Sequence, residues 1–262
     1  KRNKSNVFNN DNLADIQNIS CLKILKNGEI YCLGTNNAKL KIVKLKDDYS
    51  NIELVQEINV KDDSTCINNI IDYNQNKTLI ISDEKHIIAY EKNVDDNNYN
   101  TYAEKKVIDT GNKTYIIKLD EHNLAAFIYP NVIKLYNVDN YEFAEVAENV
   151  INEIKSDVNS NNKKQFKMMN ILGENNNILG VCSNEHSIYL IDITEKKLIK
   201  NCVFEGYNDN FVSILKFEGN YVLLLDANNN LLLTELQLKD GKTEDLKFVS
   251  LLKKLNQDSN LI

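Results

Sequence analysis

Tryptophan is absent from this 262-residue chain, and arginine, proline and histidine are nearly so: one arginine (Arg2), one proline (Pro130) and three histidines. The arginine shortage has the widest consequence. A guanidinium's planar fork is what grips phosphate or guanine through two parallel hydrogen bonds. With a single Arg beside the first residue and a net charge of −7, the composition argues against a nucleic-acid reader. The paired arginines that grip phosphoinositide headgroups are likewise missing. Lys1-Arg2-Asn3-Lys4 reads as a solvated terminus rather than a basic tag. No apolar run is long enough to span a bilayer, so no membrane insertion is expected. No secretory signal is legible from Lys1, a start without methionine that suits a trimmed chain.

The motifs that carry chemistry are also missing. There is no Gly-x-Ser-x-Gly, His-Glu-x-x-His or P-loop. The five cysteines, Cys21, Cys32, Cys66, Cys182 and Cys202, are odd in number and contain no Cys-x-x-Cys. Most fall in apolar strand-like runs, where a free thiol behaves as a small apolar residue. They read as reduced core thiols of an intracellular, cytoplasmic protein. Sequons at Asn3, Asn18, Asn76 and Asn112 are what an Asn-rich chain produces by chance.

What is present is a repeat. From Asn18 to Leu45 the sequence NISCLKILKNGEIYCLGTNNAKLKIVKL reads as three short strands. Lys26-Asn27-Gly28 and Thr35-Asn36-Asn37-Ala38 supply the turns, since Asn and Gly tolerate a positive φ. Leu40–Leu45 alternates apolar residues with Lys, the period of a half-buried strand. A more polar fourth run follows at Ile52–Ile58. Similar first strands begin at Cys66, Tyr115, Phe166 and Phe211, at spacings of 47, 49, 51 and 45 from Ile19 onward. Second strands follow at Thr78, Asn123, Asn177 and Asn220, and third strands at His86, Val132, Ser187 and Leu231. Four antiparallel strands ending on a polar edge, repeated five times, is the layout of propeller blades. A β-sandwich with similar hairpins is the alternative.

The repeat resembles the WD40 family over roughly Asn18 to Leu251. Where that family's third strand ends in Trp-Asp, this chain has Val43-Lys44, Tyr90-Glu91, Tyr136-Asn137, Ile191-Asp192 and Thr234-Glu235. Only Ile191-Asp192 keeps the Asp. The family's Gly-His has its nearest counterpart in Glu205-Gly206-Tyr207-Asn208-Asp209. The family's hydrogen-bonded tetrad therefore does not carry over. The resemblance implies an all-β, WD40-like β-propeller of about five four-stranded blades, possibly part of a larger propeller, that docks partner proteins.

The expected organisation is a polar N-terminal extension or latch over 1–17, the propeller over 18–255 and a C-terminal tail over 256–262. The irregular segment Glu148–Lys164 reads as an Asn-rich insertion. Glu244–Leu255 is ambiguous: Val249, Leu252 and Leu255 have helical spacing, yet Leu246-Lys247-Phe248 suits a last strand. Either the five blades close on themselves, with Val7-Phe8 or Leu246–Val249 as latch, or the array stays open for a partner. Self-closure is the favoured expectation, because the fifth unit carries a candidate fourth strand.

Candidate site residues are few. His86 and His186 follow equivalent turns and His122 stands apart; no converging ligands accompany them. Asp226–Asn230 lacks the Gly and Glu of a calcium loop and reads as a turn. Asp62, Asp63, Asp109 and Asp209 precede first strands, where glycosidase propellers hold their acid pair. Tyrosine outnumbers phenylalanine 13 to 8, and Tyr99, Tyr102 and Tyr141 lie in polar surroundings suited to an interface. No catalytic, cofactor-binding or metal-binding residue is assigned. The expected function is a non-catalytic protein–protein interaction scaffold, a monomeric propeller within a larger complex. Its alternatives are a channel-centred hydrolase and an incomplete propeller acting as a structural subunit.

Overall fold

The computed structural model describes residues 18–25, 30–45, 52–61, 63–75, 77–93, 101–130, 132–145, 166–172, 177–183, 186–204, 207–239 and 242–254. The turn at 26–28, the pair Val7-Phe8, Tyr99, Asp62, the 148–164 segment and the 256–262 tail lie outside them. Among the described residues there are twenty strands and no helix.

The strands form five four-stranded antiparallel sheets, each a meander in chain order. Sheet 1 holds β1 (Ile19–Ile24), β2 (Ile30–Thr35), β3 (Lys39–Leu45) and β4 (Ile52–Asn59). Sheet 2 holds β5 (Ile67–Tyr73), β6 (Thr78–Asp83), β7 (His86–Lys92) and β8 (Tyr102–Asp109). Sheet 3 holds β9 (Thr114–Lys118), β10 (Asn123–Ile128), β11 (Val132–Asn137) and β12 (Glu142–Glu145). Sheet 4 holds β13 (Phe166–Ile171), β14 (Ile178–Ser183), β15 (Ser187–Asp192) and β16 (Lys197–Val203). Sheet 5 holds β17 (Phe211–Lys216), β18 (Tyr221–Asp226), β19 (Asn230–Lys239) and β20 (Lys242–Lys254). Every first, second and third strand starts within a residue of the sequence expectation. Of the ambiguous 244–255 run, the described residues 244–254 are strand: Leu246 pairs with Leu236 and Phe248 with Thr234.

The chain divides into two compact units, Lys1–Glu121 and His122–Ile262. The single 18–255 domain expected from the repeat thus contains an internal boundary at the hairpin between β9 and β10. In the first unit, β5 packs on β1 and β2, and β9 packs on β5 and β6. In the second, β17 packs on β13 and β14. The rule is the same in both: the first strand of one sheet covers the first two strands of the sheet before it. Two glycines make the approach possible. A Cβ on Gly34 would lie 2.9 Å from Ile67 Cγ2, and one on Gly180 would lie 2.7 Å from Ile214 Cδ1. Side-chain amides add ties between sheets, with Asn69 Nδ2 donating to Ile116 O at 2.6 Å and Asn170 Nδ2 to Ile214 O at 3.0 Å.

Each sheet also locks its own second-to-third turn. The last residue of the second strand is a buried polar group in four sheets: Thr35, Asp83, Ser183 and Asp226. Asp83 Oδ1 accepts from the Lys85 N–H at 2.7 Å, and Asp226 Oδ1 from the Asn228 and Asn230 N–H groups at 2.8 and 2.7 Å. Thr35 Oγ1 accepts from the Lys39 N–H at 3.0 Å, and the Ser183 and Ser187 hydroxyls are 3.1 Å apart. A buried polar group this close to the backbone replaces the missing ladder bonds of the turn. Sheet 3 differs, ending its second strand in Ile128 before a cis Tyr129-Pro130 bond.

Candidate interaction surface

The most distinctive surface belongs to sheet 5. Its strands are apolar on both faces, because β18 (YVLLLD) and the start of β19 (NLLLT) lack the polar alternation of a solvated sheet. One face is buried against sheet 4 through Phe211, Ile214, Val222, Leu224, Leu232, Leu236 and Leu246. Cross-strand register places Leu215 opposite Leu223, Leu223 opposite Leu233 and Leu225 opposite Leu231 on the other face. There Leu215 is 53% exposed, Phe217 51% and Tyr221 40%, while Leu223, Leu225, Leu231 and Leu233 are half-buried. The corresponding face of sheet 4 presents Ile178, Cys182, Ile188 and Leu190, all buried beneath sheet 5. In sheet 1 the same face, with Cys32, Leu40 and Ile42, is buried with sheet 2. Sheet 5 thus offers to solvent the face that both of these sheets bury.

On the covered side of sheet 5, the fourth strands of sheets 4 and 5 line a groove of about 980 Å³. Its floor is Cys202, Phe204 and Leu246, all buried, and its rim includes the exposed Val203 and Phe248. The groove is crossed by an ion pair between Lys200 and Asp245. Asp245 Oδ1 also accepts from the Leu246 N–H at 2.8 Å and from the Cys202 thiol at 3.4 Å. Burial pushes the Asp245 carboxyl up, but these donors outweigh it and hold it below the usual carboxylate range. Burial drives the Cys202 thiol up to about 12, so it stays protonated. A second hollow of about 660 Å³ adjoins, lined by Asp192, Glu195, Lys197 and Lys242 among others. The groove walls carry both signs of charge in similar number, which favours no single charge on a ligand.

The other sequence candidates do not converge. His86 is buried in sheet 2, its Nδ1 3.1 Å from Asp83 Oδ2 and its Nε2 3.8 Å from Asp63 Oδ1. His122 lies exposed with its Nδ1 2.8 Å from Asp139 Oδ2, and His186 stands before β15 in a left-handed turn. Asp63 pairs with Lys85 at 3.0 Å, Asp109 caps the Gly111 N–H at 2.7 Å, and Asp209 accepts from Asn228 Nδ2 at 2.7 Å. Asp109 serves its own turn, while Asp63 and Asp209 reach the second-to-third turns of their sheets at Lys85 and Asn228. Tyr102 is buried in β8, where its backbone is clasped by the Gln56 side-chain amide at 2.7 and 2.9 Å. Tyr141 is a half-buried turn residue at φ 57°. Tyr221, which sequence reasoning did not single out, is the tyrosine that lies exposed on sheet 5, at 40%. The signal for it was the lack of alternation in β18.

The positions aligned with Trp-Asp fall in the third strands, and the first member of each pair, Val43, Tyr90, Tyr136, Ile191 or Thr234, is buried. Sheet 5 further joins the two places that the Gly-His segment and the second-to-third turn occupy: the Tyr207 phenol donates to Asp226. Tyr207 also stacks on Phe211, ring centroids 5.4 Å apart.

No family model matches the chain, and no curated protein matches it in sequence. Solved structures do resemble it. The β-propeller domain of Cps50 (Swd1) from Myceliophteria thermophila matches with a TM-score of 0.64 at 10% identity, over 88% of this chain and 71% of that one. A chain of the mitotic checkpoint complex matches with a TM-score of 0.61 at 11% identity, over 88% of this chain and 65% of that one. This chain therefore spans about two thirds of the length of either. Five four-stranded antiparallel meanders and these likenesses together establish the fold as a β-propeller.

Proposed function

We propose that this chain is a non-catalytic scaffold that docks a partner protein on the open face of sheet 5. The observation that carries the reading is the exposed apolar ladder of Leu215, Phe217 and Tyr221 over four half-buried leucines. Contiguous apolar surface of this kind marks interaction sites, and each large side chain covered by a partner contributes about 1.5–3 kcal/mol. A β-rich partner surface, such as a further blade, suits a flat pleated face. A permanent structural subunit of a larger complex is the same reading with a partner that does not dissociate. What favours the scaffold over the hydrolase reading is that Asp63, Asp109 and Asp209 each hold a turn residue.

The test is quantitative capture of partners from the native cell by the intact chain and by a Leu215→Lys/Phe217→Lys variant. Both positions are half exposed, so the variant folds. Loss of two apolar anchors lowers the retained partner about tenfold or more, while Lys113→Ala, in the other unit, leaves it unchanged. Equal retention by all three proteins would place docking elsewhere.

A further inference from the structure

We propose that Cys21 and Cys66 form a reversible disulfide that staples sheet 1 to sheet 2 when the protein meets a peroxide. The two residues are 45 positions apart in the sequence. Cys21 lies in β1 and Cys66 immediately precedes β5. Packing of β5 on β1 brings them to one spot. Cys21 Sγ is 3.7 Å from the Ile67 carbonyl oxygen, and Cys66 Sγ is 3.5 Å from the same oxygen. Both residues are half-buried, so small oxidants reach them. The Cys21 sulfur lies over Gly34 of its own sheet, in the space a Cβ there would fill, and on the side that β5 packs against.

The other thiols lack this arrangement. Cys182 and Cys202 both pair with Ile188, one from each side, so a whole strand separates them. Two strand spacings amount to about 9.5 Å, beyond the reach of a disulfide. Cys32 is fully buried in the core of the first unit.

The chemistry starts on Cys66. Its sulfur attacks one peroxide oxygen; an S–O bond forms, the O–O bond breaks, and the departing oxygen leaves as water with the thiol proton. The Cys21 sulfur then attacks the sulfenic sulfur. An S–S bond forms, the S–O bond breaks, and the hydroxyl leaves as a second water with the Cys21 proton. Two thiols are oxidised and one peroxide is reduced. Burial pushes the Cys21 thiol up to about 11, which disfavours it as the thiol that meets the peroxide first.

The experiment treats the reduced 262-residue chain with stoichiometric hydrogen peroxide, alkylates the remaining thiols, and maps peptides without reduction. The expected result is one intramolecular peptide pair joining Cys21 to Cys66, with two fewer alkylated cysteines, reversed by dithiothreitol. Cys66→Ser abolishes the pair and leaves Cys21 alkylated. Five alkylated cysteines, a bond from Cys21 to Cys32, or a cross-link between chains would each overturn the proposal. The unsubstituted map decides the matter even if the variant folds poorly.

Discussion

Gly180 shows how much of this fold turns on single atoms. In β14 it faces β17, and a methyl group there would stand 2.5 Å from Leu172 Cδ1 and 2.7 Å from Ile214 Cδ1. Neither neighbour can withdraw easily, since both are buried. Gly180→Ala therefore overpacks the joint between sheets 4 and 5 and destabilises the protein by about 1–3 kcal/mol. Urea unfolding checks this: a midpoint equal to the parent's would mean that the joint yields. The same scale shows how polar residues stay inside. Lys41 is almost fully buried in β3, and its ammonium meets Glu57 Oε2 at 3.1 Å. Hydrogen bonds from Lys39 and Lys41 overcome burial and hold the Glu57 carboxyl below its ordinary range. None of these contacts was legible in the sequence, where Lys41 was one of the alternating, outward residues of a half-buried strand. The expected alternation fails in β3, where Leu40, Lys41, Ile42 and Val43 are buried in succession and Lys41 pairs with Glu57 of β4.

At the scale of the element, the fourth strands carry the most interesting chemistry. They were the hardest to see in the sequence, because an edge strand faces solvent with polar and charged residues. Tyr102–Asp109 and Lys197–Val203 have no clear apolar period. The helical spacing of Val249 and Leu252 was misleading for a related reason. Irregularities in the β19–β20 register shift apolar residues away from a strict period of two. The tie between β16 and β20 through Lys200 and Asp245 depends on pH. Asp245 has a folded value below its unfolded value of about 3.9. Its contribution to stability is thus present above that unfolded value and is lost as pH falls through the lower folded one. The pair is exposed and screened by solvent, so the amount is small. In thermal melts at pH 7, Asp245→Asn lowers stability by that small amount, and at pH 2 the difference from the parent shrinks. A difference that grew toward low pH would contradict this account.

For the whole molecule, the repeat has a thermodynamic corollary. A blade buries its faces only between neighbours, so a terminal face without a neighbour stays apolar and wet. Among the described residues, sheet 5 has such an exposed apolar face, carrying Leu215, Phe217 and Tyr221. The consequence is concentration-dependent association of the isolated chain. Light scattering after size exclusion should show a monomer in dilute solution and larger species on concentration. Leu215→Lys/Phe217→Lys should suppress them. A parent chain that stays monomeric at high concentration would mean that the face is not sticky enough to dock a partner.

The sequence by itself determined the number of units, the strand order within each and the propeller class. Those depend on short-range patterning, and a 45-to-51-residue recurrence survives even with every Trp replaced. It also showed, through Asp226–Asn230, that a loop resembling an ion site was a turn, because local spacing fixes local hydrogen bonds. The tertiary structure alone decided which of the two apolar faces of sheet 5 is covered, that Tyr102 is core while Tyr221 is surface, and that Cys21 and Cys66 share one carbonyl. Each of these depends on which sheet packs against which. A pattern of period two names two faces but does not say what lies against either.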